Sequence, residues 1–142
     1  MKNSTILLSQ NLPNQPVIIY DNAEIDKLRI LSDNKGLSGI YMWKHKESGK
    51  IYIGSAFDLS KRLKDYYSSY YLKRSNYYIC NALLDHTHSA FSLSILEYIN
   101  ILNLSEDKAK NLILEREQNY LDLLQPEFNI LKVAGSSLGY KH

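Results

Sequence analysis

Apolar and β-forming residues cluster first in residues 39–44 and again in residues 50–54, with a polar segment that contains a glycine between them. Two such runs around a short polar segment are typical of a β-hairpin. If the turn centres on residues 46–48, Tyr41 lies opposite or diagonal to Tyr52. The pattern therefore predicts that both tyrosine rings share one face of a sheet.

A helical pattern follows the hairpin. Asp58 stands where an N-cap would precede a helix, and Leu59 and Leu63 lie one turn apart on one side of that helix. Arg62 and Tyr66 are also one turn apart, so we expect their side chains to converge.

Weaker patterns complete the predicted fold. A second helix is predicted over residues 76–84, and the alternation in residues 91–98 indicates a third strand. Residues 1–35 are interpreted as a leader that contains one candidate edge strand, the short apolar run 17–20. The expected fold is α+β, a small three-stranded antiparallel sheet flanked by helices.

The clearest helix begins after Ser105, whose hydroxyl can cap it, and ends before Pro126. Its predicted apolar stripe consists of Ala109, Leu112, Ile113, Tyr120, Leu121 and Leu124. Glu117 falls inside this stripe, whereas Glu115 falls on the polar face. Because burial of an unpaired carboxylate costs several kcal/mol, we expect Glu117 to be paired or to bind a metal.

The net charge of the chain says little about its function, but the distribution of the charges is informative. A formal charge of +2 is too small to indicate a nucleic-acid-binding protein. Lys61, Arg62 and Lys64 nevertheless lie close together, and tyrosines separate them from Lys73 and Arg74. Cations interleaved with aromatic rings can hold phosphates and stack on bases. The alternative is a solvated helix face followed by a tyrosine-rich loop.

Other features exclude several classes of protein. Cys80 is the single cysteine, which excludes a disulfide framework and a CxxC metal site. The four histidines do not have zinc-site spacing, and residues 86–88 are predicted to form a solvated turn. No apolar stretch approaches the roughly 18 residues that a membrane span needs, so no membrane partner is expected. The abundance of Tyr, Asn, Ile and Lys suggests an organellar or similarly AT-rich genome.

Gly-Ile-Tyr at 39–41, Tyr-Ile-Gly at 52–54, Arg62, and Glu117 ahead of residues 126–129 form an ordered series. This series resembles the GIY-YIG endonuclease family from about residue 36 to residue 129. Within that family, the chain is most similar to group I intron-encoded homing endonucleases of fungal mitochondria. The resemblance implies a catalytic domain at 36–131, and a linker at 132–142 toward a DNA-binding region that this chain does not contain.

The resemblance also implies roles for individual residues. It assigns catalysis to Tyr41, Tyr52, Arg62, Tyr66, Glu117 and Asn129, with Glu117 as the metal ligand. The residues predicted to contact DNA are Ser55, Lys61, Arg62, Lys64, Lys73 and Arg74. Some intron-encoded members carry a histidine near the start of the second helix, where this chain has Ser75 or Asn76. A mechanism that uses such a histidine is therefore not expected here.

The implied activity is hydrolysis of double-stranded DNA with one Mg²⁺ or Mn²⁺ ion, by a monomeric mitochondrial protein. Tyr41, assisted by Tyr52 or Tyr66, would orient the water and accept its proton, and Arg62 would stabilise the charged transition state. Because an ordinary tyrosine has a pKa near ~10, a nearby cation or metal is expected to lower it. The alternative is a catalytically silent scaffold that binds nucleic acid or serves the host intron RNA as a splicing cofactor.

Overall fold

A computed structural model describes residues 15–129 and residue 134. Its core is an antiparallel sheet of four strands in the order β1-β4-β2-β3. The strands are β1 Ile18–Tyr20, β2 Gly39–His45, β3 Ile51–Ala56 and β4 Phe91–Tyr98. The α+β prediction is confirmed, but the predicted number of strands was too low. The candidate edge strand of the leader is β1, which pairs with β4 through registers such as Ile18 with Ile95.

Five α-helices and one short 3-10 turn surround the sheet in the described part of the chain. The helices are α1 Lys27–Asp33, α2 Leu59–Asp65, α3 Ser69–Arg74, α4 Tyr78–His86 and α5 Glu106–Leu124. The three predicted helices are α2, α4 and α5, although α4 begins and ends later than its prediction. The sequence did not predict α1 or α3.

Side-chain caps explain where three of these helices begin. Asp58 accepts a hydrogen bond from the Lys61 amide at 3.3 Å, and Ser105 accepts one from the Lys108 amide at 3.2 Å. Both caps are the predicted ones. Ser68 accepts from the Tyr71 amide at 3.2 Å in the same way and starts α3. Each cap satisfies an amide that has no partner within its helix.

The two faces of the sheet carry separate cores. In the hairpin, Tyr41 pairs with Gly54 and Trp43 pairs with Tyr52, so Tyr41 and Tyr52 are diagonal neighbours on one face, as predicted. Their face belongs to the core that also includes α2, α3 and α4. Ile53 points to the opposite face, where α5 packs. This division places the tyrosines and Glu117 on different sides of the same strands.

Residues from the predicted leader belong to the packed structure. The Tyr20 hydroxyl donates to Asp33 at 2.9 Å, and the Tyr98 hydroxyl donates to Asn34 at 2.6 Å. Asn34 in turn donates to the Tyr20 hydroxyl at 3.3 Å. These bonds join β1, the end of α1 and β4. The predictions for residues 1–14, and for the linker at 132–142 apart from residue 134, concern parts of the chain outside the described residues.

None of the described helices has both the length and the apolarity that a membrane span requires.

Candidate active site at the edge of strand β3

Strand β3 forms one edge of the sheet, and the segment after α5 covers part of that edge. Asn129 is buried. Its side chain forms the two hydrogen bonds that a neighbouring strand would form: Oδ1 accepts from the backbone N–H of Ile53 at 3.0 Å, and Nδ2 donates to the Ile53 carbonyl at 2.9 Å. The Phe128 amide donates to the Ile51 carbonyl at 2.9 Å. Asn129 therefore fixes the strand edge immediately before Gly54 and Ser55.

Helix α5 brings Glu117 to this edge. The residue is 0% exposed, and its Oε1 accepts a hydrogen bond of 2.7 Å from the Ser55 hydroxyl. Glu115, two residues earlier, is exposed. The predicted helical phase is therefore confirmed for both glutamates, although Leu124, which was predicted in the stripe, is exposed.

Ser55 differs from its prediction. It was expected to contact DNA, but its side chain is 0% exposed and its hydroxyl is bound to Glu117. A fully buried side chain offers no surface to a duplex, so contact with DNA does not fit this position. Its geometry instead orients the carboxylate of Glu117.

Tyr41 reaches the same edge from the other face of the sheet. A Cβ atom at position 54 would overlap the hydroxyl end of the Tyr41 ring. Glycine at this position therefore lets the ring lie directly against β3. The Tyr41 hydroxyl shares a 2.8 Å hydrogen bond with the hydroxyl of Tyr66, which is also fully buried.

Aromatic rings continue from Tyr41 toward α3. Tyr52 lies 6.5 Å from Tyr41 and 6.4 Å from Tyr66, measured between ring centroids. Tyr66 meets Tyr71 edge to face at 5.9 Å. Such tilted contacts are favourable for aromatic pairs and fix the orientation of the rings.

Arg62 lies against these rings. Its guanidinium carbon is 5.5 Å from the Tyr66 centroid and 5.7 Å from the Tyr71 centroid. The predicted convergence of Arg62 and Tyr66 is thus confirmed. The side chain is 9% exposed, and its Nη1 lies 3.5 Å from a carboxylate oxygen of Asp65. Arg62 is therefore a largely buried cation rather than a residue of a solvated helix face.

Burial dominates the electrostatics of the tyrosines. It raises the pKa of Tyr41 to about 12, although the charge of Arg62 acts in the opposite direction and that of Glu117 adds to the rise. Burial also raises the pKa of Tyr66 well above its usual value. Arg62 does lower the pKa of Tyr41, as expected for a nearby cation, but burial outweighs it. Both hydroxyls are therefore protonated at neutral pH in the metal-free protein.

The remaining predicted cations lie on the surface of the helices beside Arg62. Lys61 and Lys64 are exposed on α2, and Lys73 and Arg74 are exposed on α3. The guanidinium of Arg74 lies 5.0 Å from the centroid of the exposed Tyr70 ring. The tyrosine-rich segment thus forms a helix that presents cations beside the site, not the loop considered as an alternative.

The donor set suits some metals and not others. Within the described residues, no group of three or more His, Cys, Asp or Glu side chains converges on one point. A zinc centre of the usual kind is therefore not supported by these residues. A buried carboxylate with hydroxyl oxygens nearby suits a hard cation, which is commonly held by one or two carboxylates and several waters.

Sequence reasoning missed two contacts of this site. The first is Tyr71, which lies nine positions from Arg62 and faces it from a different helix. The second is His88, whose Nε2 is 2.7 Å from the Tyr66 carbonyl oxygen and whose ring stacks on Tyr67 at 4.6 Å. The solvated turn predicted for residues 86–88 is wrong for His88, because these contacts half-bury it. Neither contact follows a helical or strand period, so no local pattern could have revealed it.

Comparison with known proteins gave consistent matches. Residues 37–130 match the GIY-YIG catalytic domain family. The chain is 34% identical over 131 residues to the probable intron-encoded endonuclease bI1 of Neurospora crassa, which covers 89% of this chain and 28% of that protein. The structure of this chain is similar to that of a mutant catalytic domain of the intron endonuclease I-TevI. The TM-score is 0.55 at 29% sequence identity, over 69% of this chain and 97% of that domain.

Proposed function

Because this chain belongs to the GIY-YIG endonuclease family, we propose that it is a metal-dependent endonuclease that hydrolyses phosphodiester bonds of double-stranded DNA. One observation carries the proposal. The buried carboxylate of Glu117 and the Tyr41 hydroxyl both reach β3, and the largely buried Arg62 packs against Tyr66, the hydrogen-bond partner of Tyr41. The charges of Glu117 and Arg62 both act on the pKa of Tyr41. A carboxylate that can hold a metal ion, a hydroxyl that can orient water and a cation that can stabilise negative charge suit phosphodiester hydrolysis.

Glu117 is the residue that would hold the divalent cation, and Ser55 would keep its carboxylate in one orientation through the 2.7 Å hydrogen bond. Mg²⁺ or Mn²⁺, one ion per site, fits this oxygen-only surrounding. When bound, such an ion lowers the pKa of water and offsets negative charge that develops on the phosphate. Asn129 supports the arrangement indirectly, since it fixes β3 one residue away from Gly54.

Tyr41 is the residue that would orient the attacking water. With a pKa of about 12 in the metal-free protein, its hydroxyl is a hydrogen-bond donor at neutral pH. It becomes a proton acceptor only if positive charge beyond that of Arg62 lowers its pKa further. Tyr66 sets the direction of the Tyr41 hydroxyl through their 2.8 Å hydrogen bond, and Tyr52 packs beside both rings.

Arg62 would contact the scissile phosphate. A guanidinium is planar and always charged, and its fork matches two phosphate oxygens. Among the described residues its ionic contact is with Asp65, at the long distance of 3.5 Å. A phosphate oxygen that approaches more closely would replace this contact at little cost, because Asp65 is about half exposed.

The exposed cations next to this site would hold the rest of the duplex. Lys61 and Lys64 on α2, with Lys73 and Arg74 on α3, flank the buried Arg62. Contacts of this kind bind phosphates without reading the base sequence. Substrate selection is therefore assigned to sequence outside the catalytic domain. The curated relative contains much sequence beyond the matched part, since the alignment covers 28% of it.

Two observations bear on the biological setting. The relative is described as intron-encoded, and the composition of this chain suits an AT-rich genome. These two observations support a mitochondrial homing endonuclease.

The most economical test uses supercoiled plasmid DNA. The purified chain is expected to nick or linearise the plasmid in the presence of Mg²⁺ or Mn²⁺. EDTA should stop the reaction, and excess Mg²⁺ should restore it. A chain that binds the plasmid but leaves it intact with either metal, over a range of protein concentrations, would contradict the proposal. That result would instead favour a catalytically silent scaffold.

A further inference from the structure

No short ion pair fixes Arg62 among the described residues, although its position would decide the reaction. Its other polar contacts are hydrogen bonds with the hydroxyls of Tyr41 and Tyr71. Its Nε is buried and has no hydrogen-bond partner among the described residues. Its contact with Asp65 is long, at 3.5 Å, and Asp65 itself is 47% exposed. An arginine side chain has many rotamers, so another interaction must restrict it.

Two tyrosine rings provide that restriction. Tyr66 and Tyr71 meet at an interplanar angle of 82° and form a corner. The Arg62 guanidinium carbon lies at almost the same distance from both rings, 5.5 Å and 5.7 Å. Both distances are within the range at which a cation is attracted to the face of an aromatic ring. The attraction is stronger here than on an open surface, because Arg62 is largely buried.

Tyr66 and Tyr71 differ in their other contacts. Tyr66 also shares a hydrogen bond with Tyr41, so its replacement would disturb two parts of the site at once. Tyr71 is half-buried and contacts Arg62 from α3. The Ser68 cap binds the Tyr71 amide and fixes where α3 begins. The short helix therefore places this ring against Arg62.

We propose that Tyr71 is a positioning residue whose ring holds the Arg62 guanidinium in the orientation that receives the scissile phosphate. Its consequence for cleavage rests on the proposed nuclease function, but its effect on Arg62 does not. The aromatic ring performs most of this role, and the Tyr71 hydroxyl adds a hydrogen bond with Arg62. Tyr71→Leu removes both contacts and should therefore impair the site more than Tyr71→Phe, which keeps the ring.

The test compares Tyr71→Leu and Tyr71→Phe with Tyr78→Leu, a control at an exposed tyrosine of the neighbouring helix. Two quantities are measured: plasmid cleavage, and the NMR signal of the Arg62 Nε–H group. In the wild type, that signal should be shifted by the nearby rings and protected from exchange with water. Tyr71→Leu should move it toward the position of exposed arginines and lower the cleavage rate by about tenfold. Tyr71→Phe should keep the signal closer to its wild-type position than Tyr71→Leu does and should lose less of the rate.

Each result has a separate meaning. An unchanged Arg62 signal in Tyr71→Leu would overturn the proposal, whatever happens to cleavage. Equal losses in Tyr71→Phe and Tyr71→Leu would also overturn it, because the ring would then be insufficient. If the wild type does not cleave DNA, the nuclease assignment fails, and the NMR comparison still decides whether Tyr71 positions Arg62. Thermal midpoints of all variants identify any that fail to fold.

Discussion

Glu117→Gln is expected to lower metal-dependent cleavage by at least about 10²-fold while the fold remains intact. The amide keeps the shape of the side chain and can still accept the hydrogen bond from Ser55, but it removes the negative charge that would bind the cation. It also removes a carboxylate that is 0% exposed. The thermal midpoint without metal should therefore stay the same or rise. Plasmid cleavage and thermal unfolding, each with and without Mg²⁺, measure both effects.

Glu115→Gln is the matched control, because it makes the same chemical change two residues away on the same helix. Glu115 is exposed, so its replacement should change stability by no more than about 0.5 kcal/mol. Cleavage should also be nearly unchanged. Normal cleavage by Glu117→Gln, or an inactive Glu115→Gln, would refute the assignment of Glu117 as the metal ligand.

Tyr41→Phe is expected to lower cleavage by about 10²-fold or more, because it removes the hydroxyl that would orient the water. The ring would still pack against Gly54 and Tyr52. The loss of the 2.8 Å hydrogen bond leaves the buried Tyr66 hydroxyl without its Tyr41 partner, which costs about 1 to 3 kcal/mol of stability. Single-turnover cleavage rates and thermal midpoints separate the two effects.

Tyr98→Phe is the control for the loss of stability that follows from removal of a buried hydroxyl. Tyr98 donates a 2.6 Å hydrogen bond to Asn34 in the network between β4 and the end of α1, so this variant also removes a structural hydroxyl. It should be destabilised to a similar degree yet cleave at close to the normal rate. Comparable cleavage by Tyr41→Phe and Tyr98→Phe would show that Tyr41 contributes packing alone.

Elements with a long periodic pattern were predicted well, because the pattern shows which face of the element is buried. Helix α5 repeats its apolar positions over 19 residues, which was enough to separate buried Glu117 from exposed Glu115. The hairpin was equally clear, since the runs on either side of its turn placed Tyr41 and Tyr52 on one face.

Short elements and contacts between elements could not be predicted in this way. Helix α3 has six residues and only one that is buried, Leu72, so it shows no amphipathic period. Its start depends on the Ser68 cap, and its packing against α4 is tertiary. The contact of Tyr71 with Arg62 depends on the angle between two helices. The hydrogen bond of Ser55 with Glu117 depends on how α5 sits against β3.

The central claim is that the catalytic cation binds to Glu117 at the edge of β3. Titration of the ¹⁵N-labelled protein with paramagnetic Mn²⁺ tests this claim most directly, because signals near the ion broaden first. In the wild type, the amide signals of Gly54, Ser55 and Glu117 should broaden at the lowest Mn²⁺ concentrations, and Glu117→Gln should abolish this effect. Broadening that centres on other acidic residues, or that persists unchanged in Glu117→Gln, would contradict the claim.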